Sequence, residues 1–177
     1  MPQKAILLIN LGSPHSPDVG DVKNYLAEFL MDERVIDIPA PLRWILLHAF
    51  ILPKRPQQSA QAYQKIWLGE GSPLVTLSQR VRNHLQERIP FPVALAMRYG
   101  EPSVEKTLKE FLSLHSDLKE IFLIPLYPHY AMSSYETAVV KVETVLKQLN
   151  STIKLDVLKP FYHDPLYIKA LVQSAAP

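Results

Sequence analysis

The chain of 177 residues has no cysteine, which excludes disulfides, thiolate-held zinc, iron–sulfur ligands and a cysteine nucleophile within it. Glycine is scarce: 5 are present, against the roughly 12 that average usage of about 7% would give. Those five, Gly12, Gly20, Gly69, Gly71 and Gly100, form neither G-x-G-x-x-G nor G-x-x-x-x-G-K-[ST], so the dinucleotide fingerprint and the P-loop are ruled out. An excess of charge of one sign is missing as well. The 19 Lys+Arg stand against 17 Asp+Glu, with no basic stripe for nucleic acid. No apolar run reaches the roughly 18 residues of a spanning helix. The longest, residues 39–53 (PAPLRWILLHAFILP), is broken by Arg43 and His48 but is suited to touching a membrane surface. The start, MPQKAILLINLGSP, is a poor signal peptide, and a cytoplasmic, at most membrane-peripheral protein is expected.

What is abundant is proline, 16 against roughly 9 expected. Short apolar runs at residues 5–11, 93–97, 120–126 and 153–158 read as buried strands. Between them, residues 18–31, 75–89, 104–114 and 134–149 carry the helical period, with Ser103 as N-cap of the third. Strands alternating with helices predict an α/β fold, a four-stranded parallel sheet flanked by helices. Ligands of such sheets lie at the carboxyl ends of the strands, which picks out the loops 10–14, 98–102, 127–134 and 159–164. The insertion 39–73 is too long for a plain connection and is expected to form a lip or lid. Residues 1–150 read as one domain. Residues 151–177, with Asp164-Pro165 opening a last helix, stop at Pro177, where a strand is next expected.

Several residues at these loops could act on a ligand. His129, in Y-P-H-Y, is placed for binding or proton transfer, or simply for packing among aromatics. Arg98 can offer a planar fork to a carboxylate or form an ion pair, and Tyr99 can lie against an aromatic ligand. Ser133 and Ser134 open a helix, as an anion site or as an ordinary cap. Asp32, Glu33 and Asp37 read as ordinary helix-end charges. No H-x-x-x-H pair is present, and no metal ligands are assigned.

At the same loops the sequence resembles the ferrochelatase family. The stretches are LLINLGSP (7–14), Y-L-x-E-F-L-x-D-x-R-V (25–35), I-L-P-x-R-P (51–56), A-Y-x-x-I-W-x-x-E-G-S-P-L (62–74), A-M-R-Y-G-x-P-S (96–103) and PLYPHY (125–130). Six in register over nearly the whole chain make a specific signature. The resemblance implies a chelatase fold of two similar α/β domains, of which this is the first half, and insertion of Fe²⁺ into protoporphyrin IX to give protohaem. It implies porphyrin contacts at Leu11, Lys65, Arg98, Tyr99, Tyr130 and Ser133, with His129 and Ser134 secondary, and an apolar mouth at Leu26, Phe29 and Leu30. The family's metal-side histidine and glutamate match no segment here and are expected beyond Pro177. The expectation is therefore a chain with no catalytic residue and no cofactor of its own, inactive alone and prone to self-association through an uncovered face. A related cobalt or coproporphyrin chelatase and a non-catalytic porphyrin- or haem-binding module are the alternatives.

Overall fold

A computed structural model describes residues 3–175. Pro177, past which the metal-side histidine and glutamate are expected, lies outside the described residues, and the expected last segment, 151–177, is described as far as Ala175. Four strands, β1 (Lys4–Gly12), β2 (Val93–Tyr99), β3 (Glu120–Pro125) and β4 (Lys154–Val157), form one parallel sheet in the order β2-β1-β3-β4. This is the expected α/β architecture. The order places β1 between β2 and β3, so the loops leaving β1 and β3 diverge and open a crevice at their carboxyl ends.

Both faces of the sheet are buried, and strand period explains why the runs are continuously apolar. On one face Leu7, Ile9, Ala96, Ile121 and Leu123 meet α5 (Val104–Leu114) and α6 (Thr137–Gln148). Val104, Leu108 and Phe111 of α5, and Ala138, Val142 and Val145 of α6, recur at three- and four-residue steps, giving each helix a single apolar stripe toward the sheet. On the other face Leu8, Val93, Leu95 and Met97 pack with Val75 and Leu85 of α4 (Pro73–Arg88). That second face is the thinner one: Phe122 of β3 is 37% exposed. α7 (Pro165–Ala175) has no buried residue, and Leu166 and Val172 are open to solvent. Asp164 caps it, its Oδ1 accepting from the Leu166 amide at 2.8 Å.

Between β1 and β2 lie α1 (Val19–Leu30), α2 (Ala40–Ile45), a π-helical turn (Leu46–Ile51) and α3 (Arg55–Ile66). Residues 39–66 of the expected lip are thus mostly helical. Arg43 explains their attachment: it is turned inward, 7% exposed, and donates to the carbonyls of Ile36 at 2.9 Å and Ile38 at 3.0 Å. Leu42, Trp44, Ile45 and Phe50 face outward instead.

β2 runs two residues past the expected Met97 because Tyr99 still pairs with Gly12 of β1. There the backbones touch. Gly12 has φ +103°, and a Cβ on it would sit 1.8 Å from the Tyr99 carbonyl oxygen, so only glycine fits. The outer edge of β2 is covered by side chains of its flanking helices. Arg82 donates to the Val93 carbonyl at 2.9 Å, the Val93 amide donates to Gln86 at 2.8 Å, and Thr107 donates to the Leu95 carbonyl at 3.4 Å.

Candidate functional site

At the carboxyl ends of β1 and β2, the last turns of α1 and the π-helical turn of the lip enclose a trough of about 560 Å³. Leu26, Phe29 and Leu30 form one wall and Phe50 and Ile51 the other, while Lys54 and Arg55 stand at its rim. Five apolar side chains with two cations suit a flat apolar ligand that carries acidic groups. Leu26, Phe29 and Leu30, the expected apolar mouth, come together here. A larger cleft of about 660 Å³ runs along the outer edge of β2, away from the strand ends. The site is placed at the trough because the aromatic and ionic groups converge behind it.

That convergence starts at Phe29, whose ring meets Tyr99 edge-on at 5.1 Å and stacks with Tyr25 at 6.1 Å. Tyr25 donates to the Gly12 carbonyl at 3.2 Å, tying α1 to the end of β1. Tyr99 is buried, and burial, above all, pushes its phenol up to about 12. Its hydroxyl donates to Oδ2 of Asp32 at 2.9 Å. The same oxygen accepts from Arg98 and from Thr137, and Oδ1 accepts from the Arg34 amide at 2.8 Å. Arg98 also donates through Nε to Thr137 at 2.7 Å.

Asp32 is therefore no ordinary helix-end charge. Its side chain is 5% exposed and its carboxylate joins the end of α1, the end of β2 and the head of α6. Burial alone would raise its pKa, but the hydrogen bonds from Thr137, the Arg34 amide and Tyr99, with the Arg98 charge, outweigh it and hold the carboxyl below its usual range. The sequence signal was present in the position of Asp32 and Arg34 within Y-L-x-E-F-L-x-D-x-R-V, but no periodicity distinguishes a buried acid from a solvated one.

The chain of contacts continues outward. Arg34 donates to Glu136 at 3.3 Å, and the exposed Tyr130 hydroxyl donates to the other oxygen of the same carboxylate. That hydrogen bond, above all, raises the Tyr130 pKa. Arg98, Tyr99 and Tyr130, far apart in sequence, thus share one polar network through Asp32, Arg34 and Glu136. Tyr127 lies near it, its hydroxyl buried without a partner and its pKa driven upward by burial.

The other expected residues are placed as follows. Leu11 is half-buried at the end of β1. Lys65 is exposed on α3, outside the residues lining the trough. His129 is exposed and stacks on Tyr162 at 5.3 Å. Ser133 and Ser134 lie in the first turn of a helical segment, a π-helical turn (Met132–Glu136) that leads into α6, and the Ser134 amide donates to the Ala131 carbonyl at 3.3 Å. The wider turn lets both Ser134 and Glu136 amides reach that one carbonyl. Sequence reasoning also missed Asn10, which donates to the buried Ser78 of α4 at 3.0 Å and steadies the end of β1. Among the described residues no three His, Asp or Glu side chains are grouped to hold a metal ion, and no helix is long and apolar enough to cross a membrane.

Comparison with known proteins gives a consistent answer. The family model described as Ferrochelatase matches residues 3–176. The chain is 48% identical over 180 residues to the ferrochelatase of Opitutus terrae, covering 100% of this chain and 52% of that protein. It is 47% identical over 178 residues to that of Stutzerimonas stutzeri and 48% identical over 178 residues to that of Pseudomonas fluorescens strain Pf0-1, covering 100% of this chain and 51% of each. The chain spans about half the length of these curated relatives.

Proposed function

Because the chain belongs to the ferrochelatase family, we propose that it binds protoporphyrin IX as one wall of an enzyme that inserts Fe²⁺ to give protohaem. The observation carrying this reading is the trough of Leu26, Phe29, Leu30, Phe50 and Ile51 with Lys54 and Arg55 at its rim. The aliphatic and aromatic walls take the macrocycle and the rim cations meet its propionates. Leu11, Tyr99 and Arg98 back the site, with Tyr130, Ser133 and, secondarily, His129 and Ser134 along its β3 side. Lys65, exposed on α3, is the remaining porphyrin contact of this reading. The outward apolar residues Leu42, Trp44, Ile45 and Phe50 suit peripheral contact with a lipid surface, from which a poorly soluble macrocycle can enter.

Insertion exchanges two pyrrole N–H protons for one Fe²⁺, so two protons must leave as two further Fe–N bonds form. A neutral imidazole and a carboxylate suit the receipt of those protons. On this reading the family's metal-side histidine and glutamate are not supplied by this chain, whose residues hold and orient the macrocycle without turning it over. Iron and porphyrin are substrates, and no resident cofactor is assigned.

Titration of the chain with protoporphyrin IX is expected to give a saturable shift of the Soret band that weakens in Phe29→Ala. A linear, unsaturable change would overturn the binding proposal, and haem formed from Fe²⁺ and porphyrin by the chain alone would overturn its inactivity.

A further inference from the structure

Arg98 stands where a strand-end arginine could receive a ligand carboxylate, yet its guanidinium is turned inward. Its side chain is 14% exposed, against 5% for Asp32, and the two form an ion pair. Nε is directed at Thr137 and a terminal nitrogen at Asp32. A ligand carboxylate would have to compete for the Arg98 guanidinium with a buried carboxylate that is itself anchored by Tyr99, Thr137 and the Arg34 amide. Drawing Arg98 away would leave the Asp32 charge buried without its countercharge, which is costly. The exposed cations Lys54 and Arg55 need no such displacement.

We propose that Asp32 is a positioning residue that holds the Arg98 guanidinium away from ligand carboxylates and pins the base of the lip to the head of α6. The second half follows from the same cluster. Residues 32–34 connect α1 to the lip, and they reach α6 twice, through Asp32 to Thr137 and through Arg34 to Glu136. With Asp32 in place, Arg98 serves as a neutralised wall behind Phe29, and carboxylate recognition is left to the rim. Without the charge of Asp32, Arg98 loses its ion-pair partner, and the site gains an acid-selective contact.

The ligand-dependent part rests on the porphyrin reading given above, and the test separates the two. The chain and its Asp32→Asn and Asp32→Asn/Arg98→Gln variants are titrated with protoporphyrin IX and with its dimethyl ester. Asp32→Asn is expected to raise the preference for the diacid over the ester by about tenfold, the scale of one charge-assisted hydrogen bond. Adding Arg98→Gln cancels that gain, which a merely structural loss would not produce. In parallel, hydrogen exchange of the Arg98 Nε–H is followed by NMR without ligand, with exchange faster in Asp32→Asn than in the parent chain. If the parent binds neither porphyrin, the porphyrin reading fails while the exchange measurement still decides the role of Asp32. An unchanged diacid preference in Asp32→Asn, or an Arg98 Nε–H that exchanges as in the parent chain, overturns the proposal.

Discussion

The Phe29 ring meets the Tyr99 ring edge-on, with centroids 5.1 Å apart and planes at 77°. Phe29 thereby belongs both to the trough wall and to the polar network behind it. Replacing it with alanine removes an aromatic pair and part of a wall. Phe29→Ala is expected to lower stability by about 2 kcal/mol, less than a fully buried Phe because it is half-exposed, as read by urea denaturation.

Gly12 and Gly20 make opposite predictions. A methyl at Gly12 would collide with the Tyr99 carbonyl, and φ +103° is a region side chains rarely adopt. Gly12→Ala is expected to cost more than about 3 kcal/mol or to abolish soluble expression. Gly20, in α1 with nothing within 4 Å of a built Cβ, should gain about 0.5 kcal/mol as alanine. Thermal melts of the two variants check both, and a tolerated Gly12→Ala would contradict the described contact between the ends of β1 and β2.

Acid should loosen the lip. The folded pKa of Asp32 lies below its unfolded value of about 3.9, so its carboxylate contributes stability that is fully present above that value. The contribution fades as pH falls below about 4 toward the folded pKa, because the proton then weakens the links to Arg98, Tyr99, Thr137 and the Arg34 amide. Trp44 and Trp67 lie within the lip and report on it by fluorescence. Asp32→Asn is expected to remove this portion of the acid transition, leaving a flatter emission profile over the same pH range.

α7 presents apolar side chains to water, with Leu166 77% and Val172 66% exposed. Self-association of the chain is expected to involve this helix. Leu166→Glu with Val172→Glu should lower the sedimentation coefficient at high protein concentration while the melting temperature stays within about 1 °C, since neither side chain supports the core. Unchanged association would place the contact elsewhere.

The sheet was legible because its strands are buried on both faces, so Leu7, Leu8 and Ile9 form an uninterrupted apolar run. α5 was legible to the residue, since Val104, Leu108 and Phe111 keep a single stripe and Ser103 precedes them. The two π-helical turns were not. Residues 46–51 and 132–136 carry ordinary helical composition, and nothing in their residue pattern marks the widened hydrogen-bond step. Asp32 was illegible for a related reason. Its burial depends on Arg98 and Thr137, 66 and 105 residues away, and no local window contains all three. Conversely, the grouping of Leu26, Phe29 and Leu30 along one wall of the trough was readable from the α1 stripe, because the three lie within two turns.

The covered margin of β2 gives the sheet a direction of growth. With the outward groups of Val93 and Leu95 already bonded to Arg82, Gln86 and Thr107, a foreign strand arriving there would have to dislodge three side chains before gaining a ladder. β4 has no such guard: it pairs only with β3, and among the described residues no strand lies beyond it. An added strand would therefore have fewer side chains to dislodge at β4 than at β2, which makes the two margins of this sheet unequal.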